Sequence, residues 1–283
     1  GSSIRVPLLR MGIMTGVMLQ FTIPVTISVA ATASPFGPYN SVQSVTYTDF
    51  SGTNRTKTNG FQLWCAQCFK QGDIISSAPQ SGIASAPQNP YNNNTNIISQ
   101  PTAVGANNVT FSLYVPMAYD PANDLTGAVL TQTTVGEHYI TLQLANALVG
   151  ADPWVNAYTA GTMTNGNVTV EAFQYYIQPT DMSVNNLPLM DLSTIYGFEG
   201  GYQTQSNISS GSSTYINLPN NRSILSTLVM YENNSIFTTN ETDMSLVTTM
   251  ANSNTNFREQ TPRLIRETMR NIINGDIDRK STR

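Results

Sequence analysis

The residues of this chain that most readily support chemistry are two cysteines and a single histidine. Cys65 and Cys68 form a Cys-Ala-Gln-Cys motif, a spacing found in redox pairs and in zinc sites. A redox pair needs a helix N-terminus to activate it, and a structural zinc ion needs two further ligands. We predict that Phe61–Phe69 forms a strand, in which side chains three apart point to opposite faces. The motif is therefore interpreted as two small, half-buried strand residues.

Nucleophilic catalysis would require His138 as its base, and no Gly-x-Ser-x-Gly elbow accompanies it. The glycine-rich loops that hold nucleotide phosphates are also missing from the sequence. Glycoside hydrolysis stays open, because Glu137, Glu171 and Asp191 could meet in space, although nothing in the sequence selects a pair. We therefore predict a protein that is not an enzyme, with no catalytic, cofactor-binding or metal-binding residues.

The composition predicts a packed globular protein. Of 283 residues, 40% are hydrophobic and 11% are charged, which argues against a disordered chain or a coiled coil. The net charge of -4 argues against specific nucleic-acid binding, which needs a basic surface. The most apolar stretch, Met11–Ala31, is interrupted by Gln20 and Pro24, and from Phe21 to Val29 apolar and polar residues largely alternate, which favours a strand over a membrane span.

Short runs of β-forming residues recur as far as about residue 240, separated by clusters of Asn, Ser, Thr, Gly and Pro. This pattern is typical of an all-β protein. The predicted strands, besides Phe61–Phe69, are Val17–Val29, Val42–Tyr47, Val109–Val115, Tyr139–Leu144, Val168–Ile177 and Ile224–Tyr231.

One late segment, Pro262–Asn274, is predicted to be an amphipathic helix. Thr261 is a suitable N-cap, Pro262 suits the first helical position, and Gly275 suits the end. One side of the helix is apolar and the other is rich in arginine; these residues are Leu264, Ile265, Met269, Ile272 and Ile273, and Arg263, Arg266 and Arg270. We expect the apolar side to pack inside the protein and the arginines to face a neighbouring subunit.

Three segments resemble the major capsid proteins of tectiviruses, tailless bacteriophages with an internal membrane. The first is Val115–Tyr119 (Val-Pro-Met-Ala-Tyr) followed by Asp124–Leu130 (Asp-Leu-Thr-Gly-Ala-Val-Leu). The second is Leu187–Tyr196, and the third is Gly60–Leu63 followed by Lys70–Gly72. Their order and spacing also agree with the family, and weaker similarity at Ile224–Thr227 and around Arg258–Arg270 extends the resemblance over most of the chain.

The resemblance implies a double jelly roll, two tandem β-sandwiches that we place at residues 1–180 and 181–283. It also implies a capsid subunit of the virion, assembled in the host cytoplasm, that forms homotrimers of pseudo-hexagonal outline and tiles an icosahedral shell. Its other expected partners are neighbouring capsomers, vertex and minor capsid proteins, and the internal membrane. The resemblance also implies an N-terminal arm, which this sequence does not show at its start. It implies further strands after the late helix as well, so we expect the second sandwich to be incomplete here.

A carbohydrate-binding or receptor-binding sandwich, such as a spike protein, is the alternative. Such sites use exposed aromatic rings beside carboxylates or amides, and Trp154 in Asp-Pro-Trp is the candidate. We interpret Trp154 instead as loop packing or as part of an interface.

Overall fold

The fold was analysed in a computed structural model. It describes residues 3–34, 37–70, 99–119, 125–131, 136–152, 154–178, 195–200, 215, 232–233, 236–237, 247–251 and 255–260. The helices in these ranges are a short 3-10 helix (Tyr39–Ser41) and α1 (Gly60–Lys70). The strands are β1 (Ser3–Pro7), β2 (Ile13–Ala33), β3 (Val42–Thr48), β4 (Asn54–Thr58), β5 (Gly105–Pro116), β6 (Val129–Leu130), β7 (Tyr139–Leu144), β8 (Tyr158–Asn165), β9 (Thr169–Ile177), β10 (Phe198–Glu199), β11 (Glu232–Asn233), β12 (Ile236–Phe237), β13 (Val247–Ala251) and β14 (Thr255–Gln260).

Ten of these strands form two sheets. The first sheet has the order β1-β7-β3-β4-β10, and all its pairs are antiparallel except β4 with β10. The second sheet is built around the long strand β2, which pairs with β5 along one edge and with β9 and then β8 along the other. β6 adds a short pair at the start of β2. Two separate antiparallel pairs, β11 with β12 and β13 with β14, follow in the chain.

The hydrophobic core lies between the two sheets. On β2, alternate residues from Val17 to Ile27 are almost completely buried and meet Phe111 and Leu113 of β5. The first sheet contributes Tyr47 of β3 and Ile140 of β7 to the same cluster. Alternation therefore places every second side chain of this part of β2 inside, as expected for a two-sheet sandwich.

The predicted all-β class is confirmed, and five predicted strands correspond to β2, β3, β5, β7 and β9. The strand Ile224–Tyr231 and the helix Pro262–Asn274, with the apolar residues and arginines assigned to it, lie outside the described residues. No described helix is long and apolar enough to cross a membrane.

The prediction of a strand at Phe61–Phe69 is wrong, because this segment forms helix α1. Its first turn is capped reciprocally: the Gln62 N–H donates to Asn59 Oδ1 at 2.8 Å, and the Asn59 N–H donates to Gln62 Oε1 at 3.3 Å. This exchange satisfies donors that a helix start otherwise leaves unpaired. Phe61, Leu63 and Trp64 are then buried against the core, so tertiary packing supports the helix over a strand.

Candidate functional site

The cysteine motif lies in helix α1. Cys65 is completely buried and lies beyond the first turn of α1, away from the N-terminal end that activates thiols. Cys68 follows three residues later in the same helix. Strand geometry therefore does not separate the two cysteines, and that part of the prediction is wrong. Among the described residues, no group of three or more His, Cys, Asp and Glu is arranged to hold a metal ion.

His138, which precedes β7, links the two sheets. Its ring is 2% exposed and stacks on Phe50 with the ring centroids 4.3 Å apart. Nδ1 lies 3.3 Å from the Tyr47 hydroxyl, and Nε2 lies 3.4 Å from the carbonyl oxygen of Leu9. Because that carbonyl can only accept, Nε2 carries the proton and Tyr47 donates to Nδ1. Leu9 belongs to the connection between β1 in the first sheet and β2 in the second, so neutral His138 holds this crossing in place.

We expect His138 to make folding stability fall at acidic pH. Burial lowers the pKa of His138 below its ordinary value of 6.5; Arg10 lowers it further, while the Leu9 carbonyl and Asp49 oppose the shift. The unfolded chain therefore takes up the proton first, so the stability contributed by neutral His138 is present above about pH 6.5 and is lost as the pH falls below it. Urea unfolding at pH 7.5 and pH 5.5 measures this loss. His138→Gln should show a smaller difference between the two pH values; an equal difference would contradict the assignment.

The carboxylates considered for glycoside hydrolysis are not brought together among the described residues. Glu137 forms an exposed ion pair with Arg5 at 2.8 Å, at the edge of the first sheet. Glu171 lies on β9 of the second sheet and is exposed. Asp191 lies outside the described residues. The structure thus provides no paired-carboxylate geometry in the part of the chain that it describes.

Trp154 packs onto the sandwich. Its ring meets Phe61 of α1 edge-on, with the centroids 5.7 Å apart, and its backbone N–H donates to Asp152 Oδ1 at 2.9 Å. The half-buried ring is one of the side chains that pack against the core. A ring held this way is not a free platform for a sugar, so the interpretation as loop packing agrees with the structure.

Residues from all three family-like segments contact residues 195–200: Tyr119 and Gly127 lie against Tyr196, and Gln62 lies against Gly200. We call these five residues the junction. The rings of Tyr119 and Tyr196 meet edge-on at 5.8 Å. Gly127 has a φ of +87°, and a Cβ there would overlap the Cβ of Tyr196. A Cβ on Gly200 would likewise overlap the side chain of Gln62. The two glycines therefore allow residues 195–200 to lie directly on the sandwich.

A buried ion pair supports the junction from the β3–β4 turn. Asp49 Oδ2 accepts from Arg55 Nε at 2.7 Å, and the two side chains are 4% and 14% exposed. Asp49 Oδ1 accepts from the backbone N–H groups of Ser51 and Thr53. Arg55 Nη1 then donates to the carbonyl of Gly127 at 3.4 Å. The turn is thereby tied to the loop on which Tyr196 rests.

The protonation state of Asp49 follows from these contacts. Burial alone raises the pKa of Asp49, but hydrogen bonds from Ser51, Arg55 and Thr53 outweigh it and hold the pKa below its ordinary value. The pair is therefore charged at neutral pH. Its role is mechanical, because its contacts hold the β3–β4 turn and the loop at Gly127 together.

Sequence analysis did not identify Asp49 and Arg55. The local signal was present, since Asp-Phe-Ser-Gly is typical of a turn and Gly52 adopts a φ of +80°. The contact to Gly127 is long-range, and no local pattern predicts it. The resemblance did include Gln62, Tyr119, Gly127 and Tyr196, although it assigned them no contacts, and it did not include Gly200.

Comparison with known proteins gives one match to a protein family. The model described as "P3 major capsid protein N-terminal" matches residues 3–185. The major capsid protein P3 of Enterobacteria phage PRD1 is 29% identical over 244 residues, which are 81% of this chain and 60% of the phage protein. The chain therefore spans about 60% of the length of that relative.

Similar solved structures are viral. A chain in "Crystal Structure of the STIV MCP" is 16% identical, with a TM-score of 0.29 over 52% of this chain and 45% of that one. The atomic structure of Sulfolobus Turreted Icosahedral Virus gives 16% identity and a TM-score of 0.31 over 50% and 40%. A chain in the cryo-EM structure of the Sputnik virophage is 14% identical, with a TM-score of 0.24 over 61% of this chain and 42% of that one. Scores this low do not establish a shared fold.

Proposed function

The chain belongs to the P3 major capsid protein family, through the N-terminal domain of that family, and we propose that it is a structural, non-catalytic capsid subunit of a virion. The observation that carries this proposal is the family match over residues 3–185, which contains every strand of the two-sheet sandwich except β10. In this function the sandwich is a rigid building block, and its surfaces determine how copies pack together.

The main partner in this proposal is the chain itself. Three copies form a capsomer of pseudo-hexagonal outline, and capsomers tile an icosahedral shell over an internal membrane, with vertex and minor capsid proteins as further partners. With only 11% charged residues, the surface lets copies approach without strong repulsion between like charges. A closed ring of three copies also satisfies complementary patches without leaving an open end.

We propose that residues 181–283 belong to a second sandwich, apart from β10, which pairs with β4 of the first sheet, and that the capsid is assembled in the host cytoplasm. The support is the continuation of antiparallel strand pairs in this range, β11 with β12 and β13 with β14. The resemblance places the boundary near residue 180, just after β9 ends at Ile177.

Light scattering on the purified chain at micromolar concentration tests the proposal. We expect the mass of three chains, and electron microscopy of the same sample should show particles with a six-sided outline. Asp49→Ala should weaken the fold of the sandwich, so the mass measured for this variant shows how far trimer formation depends on the fold. A wild-type chain that is folded by circular dichroism and stays monomeric throughout would count against a capsid subunit.

A further inference from the structure

The outer edge of β4 is covered by a later part of the same chain. β4 pairs with β3 along one edge, and β10 pairs with the other edge in parallel, Phe198 opposite Thr56 and Glu199 opposite Lys57. The Gly200 N–H extends this pairing by donating to the Lys57 carbonyl at 2.9 Å. An open edge strand presents unpaired backbone groups to other chains. Residues 195–200, which we call the strap, therefore close an edge that would otherwise invite association.

The residues of the strap alternate between facing the sandwich and facing solvent. Tyr196, Phe198 and Gly200 face the sandwich, while the residues between them are exposed. Tyr196 meets Tyr119 and lies over Gly127, and burial raises the pKa of Tyr196. Phe198 packs against the core. Each inward residue thus contacts a different part of the sandwich, so the strap is held by several separate contacts and not by a single one.

The Gly200 position sets the register of the strap. A Cβ on Gly200 would overlap Oε1 of Gln62 and Oγ1 of Thr58. Gln62 cannot simply swing away, because its Oε1 accepts from the Thr58 hydroxyl at 2.9 Å and from the Asn59 N–H at 3.3 Å. A shift that brought Glu199, Phe198 or Tyr202 to this position would place a side chain in the space, and a shift that brought Gly201 here would replace the aromatic rings of Phe198 and Tyr196 with Glu199 and Gly197. The surface of the sandwich therefore binds the strap in one register, with two aromatic residues and a glycine at alternate positions.

In the chain, the strap lies between the last strand of the second sheet and residues 201–283. It follows β9 of the second sheet, yet it docks on the far edge of the first sheet, and residues 201–283 all continue from it. We propose that the strap is a clasp that closes the β4 edge and couples the rest of the chain to the N-terminal sandwich. This role belongs to the single chain and does not depend on assembly into a capsid.

Hydrogen exchange on the full-length chain tests the clasp. Gly200→Val adds a side chain where none fits, and Tyr196→Ala removes the ring without adding a clash. Both variants should speed exchange in β4 and in the strap by roughly tenfold or more, with β2 and β5 still protected. Gly197→Ala is the matched control, because Gly197 is exposed in the same segment, and it should exchange like the wild type.

Thermal unfolding tests the coupling separately. If the strap couples the two parts of the chain, the two parts should unfold at temperatures further apart in Tyr196→Ala than in the wild type. Tyr196→Phe keeps the ring against Tyr119, so its unfolding profile should lie closer to the wild type than that of Tyr196→Ala. The proposal is overturned if β4 keeps wild-type protection in Tyr196→Ala, or if Gly197→Ala disturbs β4 as much as Gly200→Val. Should Gly200→Val fail to fold, Tyr196→Ala decides the outcome.

Discussion

Phe111→Ala is expected to lower the free energy of unfolding by about 3–5 kcal/mol, which is the range for removing a large aromatic side chain from a packed core. Phe111 is completely buried on β5. Its ring stacks on Phe21 of β2 at 4.7 Å and meets Tyr39 edge-on at 5.6 Å. The substitution removes both ring contacts and leaves a cavity between the sheets. Urea denaturation followed by circular dichroism measures the loss.

Phe173→Ala is the matched control. Phe173 also lies on a strand of the second sheet, but its side chain is 51% exposed. We expect a change of about 0.5 kcal/mol or less, because exposed substitutions away from special contacts cost little. Equal losses for the two alanine variants would mean that the core does not lie between the sheets as described.

Asp49→Ala is expected to cost about 3–5 kcal/mol, because it leaves the guanidinium of Arg55 largely buried without its carboxylate. It also removes the acceptor for the backbone N–H groups of Ser51 and Thr53, so the β3–β4 turn should loosen. The same denaturation measurement applies. Since the pKa of Asp49 is held below its ordinary 3.8, the wild-type advantage should be full above that pH and should shrink as the pH falls further.

Glu137→Ala provides the comparison for an exposed ion pair. Glu137 and Arg5 lie at 2.8 Å, as close as the buried pair, but their side chains are 78% and 55% exposed. Such pairs contribute about 0–1 kcal/mol, since water and salt screen them. If Asp49→Ala cost no more than Glu137→Ala, burial of the Asp49–Arg55 pair would have no energetic consequence.

The strands with alternating sequences were predictable without a structure. The predicted strand Val17–Val29, which alternates from Phe21 onward, lies within β2, and Tyr139–Leu144 was predicted with the bounds it has in the structure. The alternation is local, since every second residue of a half-buried strand must be apolar. The family was predictable for a different reason: segments such as Val115–Tyr119 are long enough to be specific.

Helix α1 was not predictable in the same way. Its short apolar run is compatible with a strand or with a buried helix, and periodicity alone does not separate the two. The reciprocal cap between Asn59 and Gln62 begins the helix, and burial of Phe61 and Trp64 against the core favours it. The error extended to Cys65 and Cys68, because their relative direction was inferred from the wrong element.

The junction depends on contacts between residues far apart in the chain. The sequence sufficed for the class, most strands and the family, because these follow from local alternation and from specific segments. Arg55 reaches Gly127, Tyr119 meets Tyr196, and His138 holds Leu9 only after the sheets have formed. Which residues meet in these pairs depends on the order in which strands from distant segments lie in a sheet. Neither the hydrophobic pattern nor the residue type at one position determines that order.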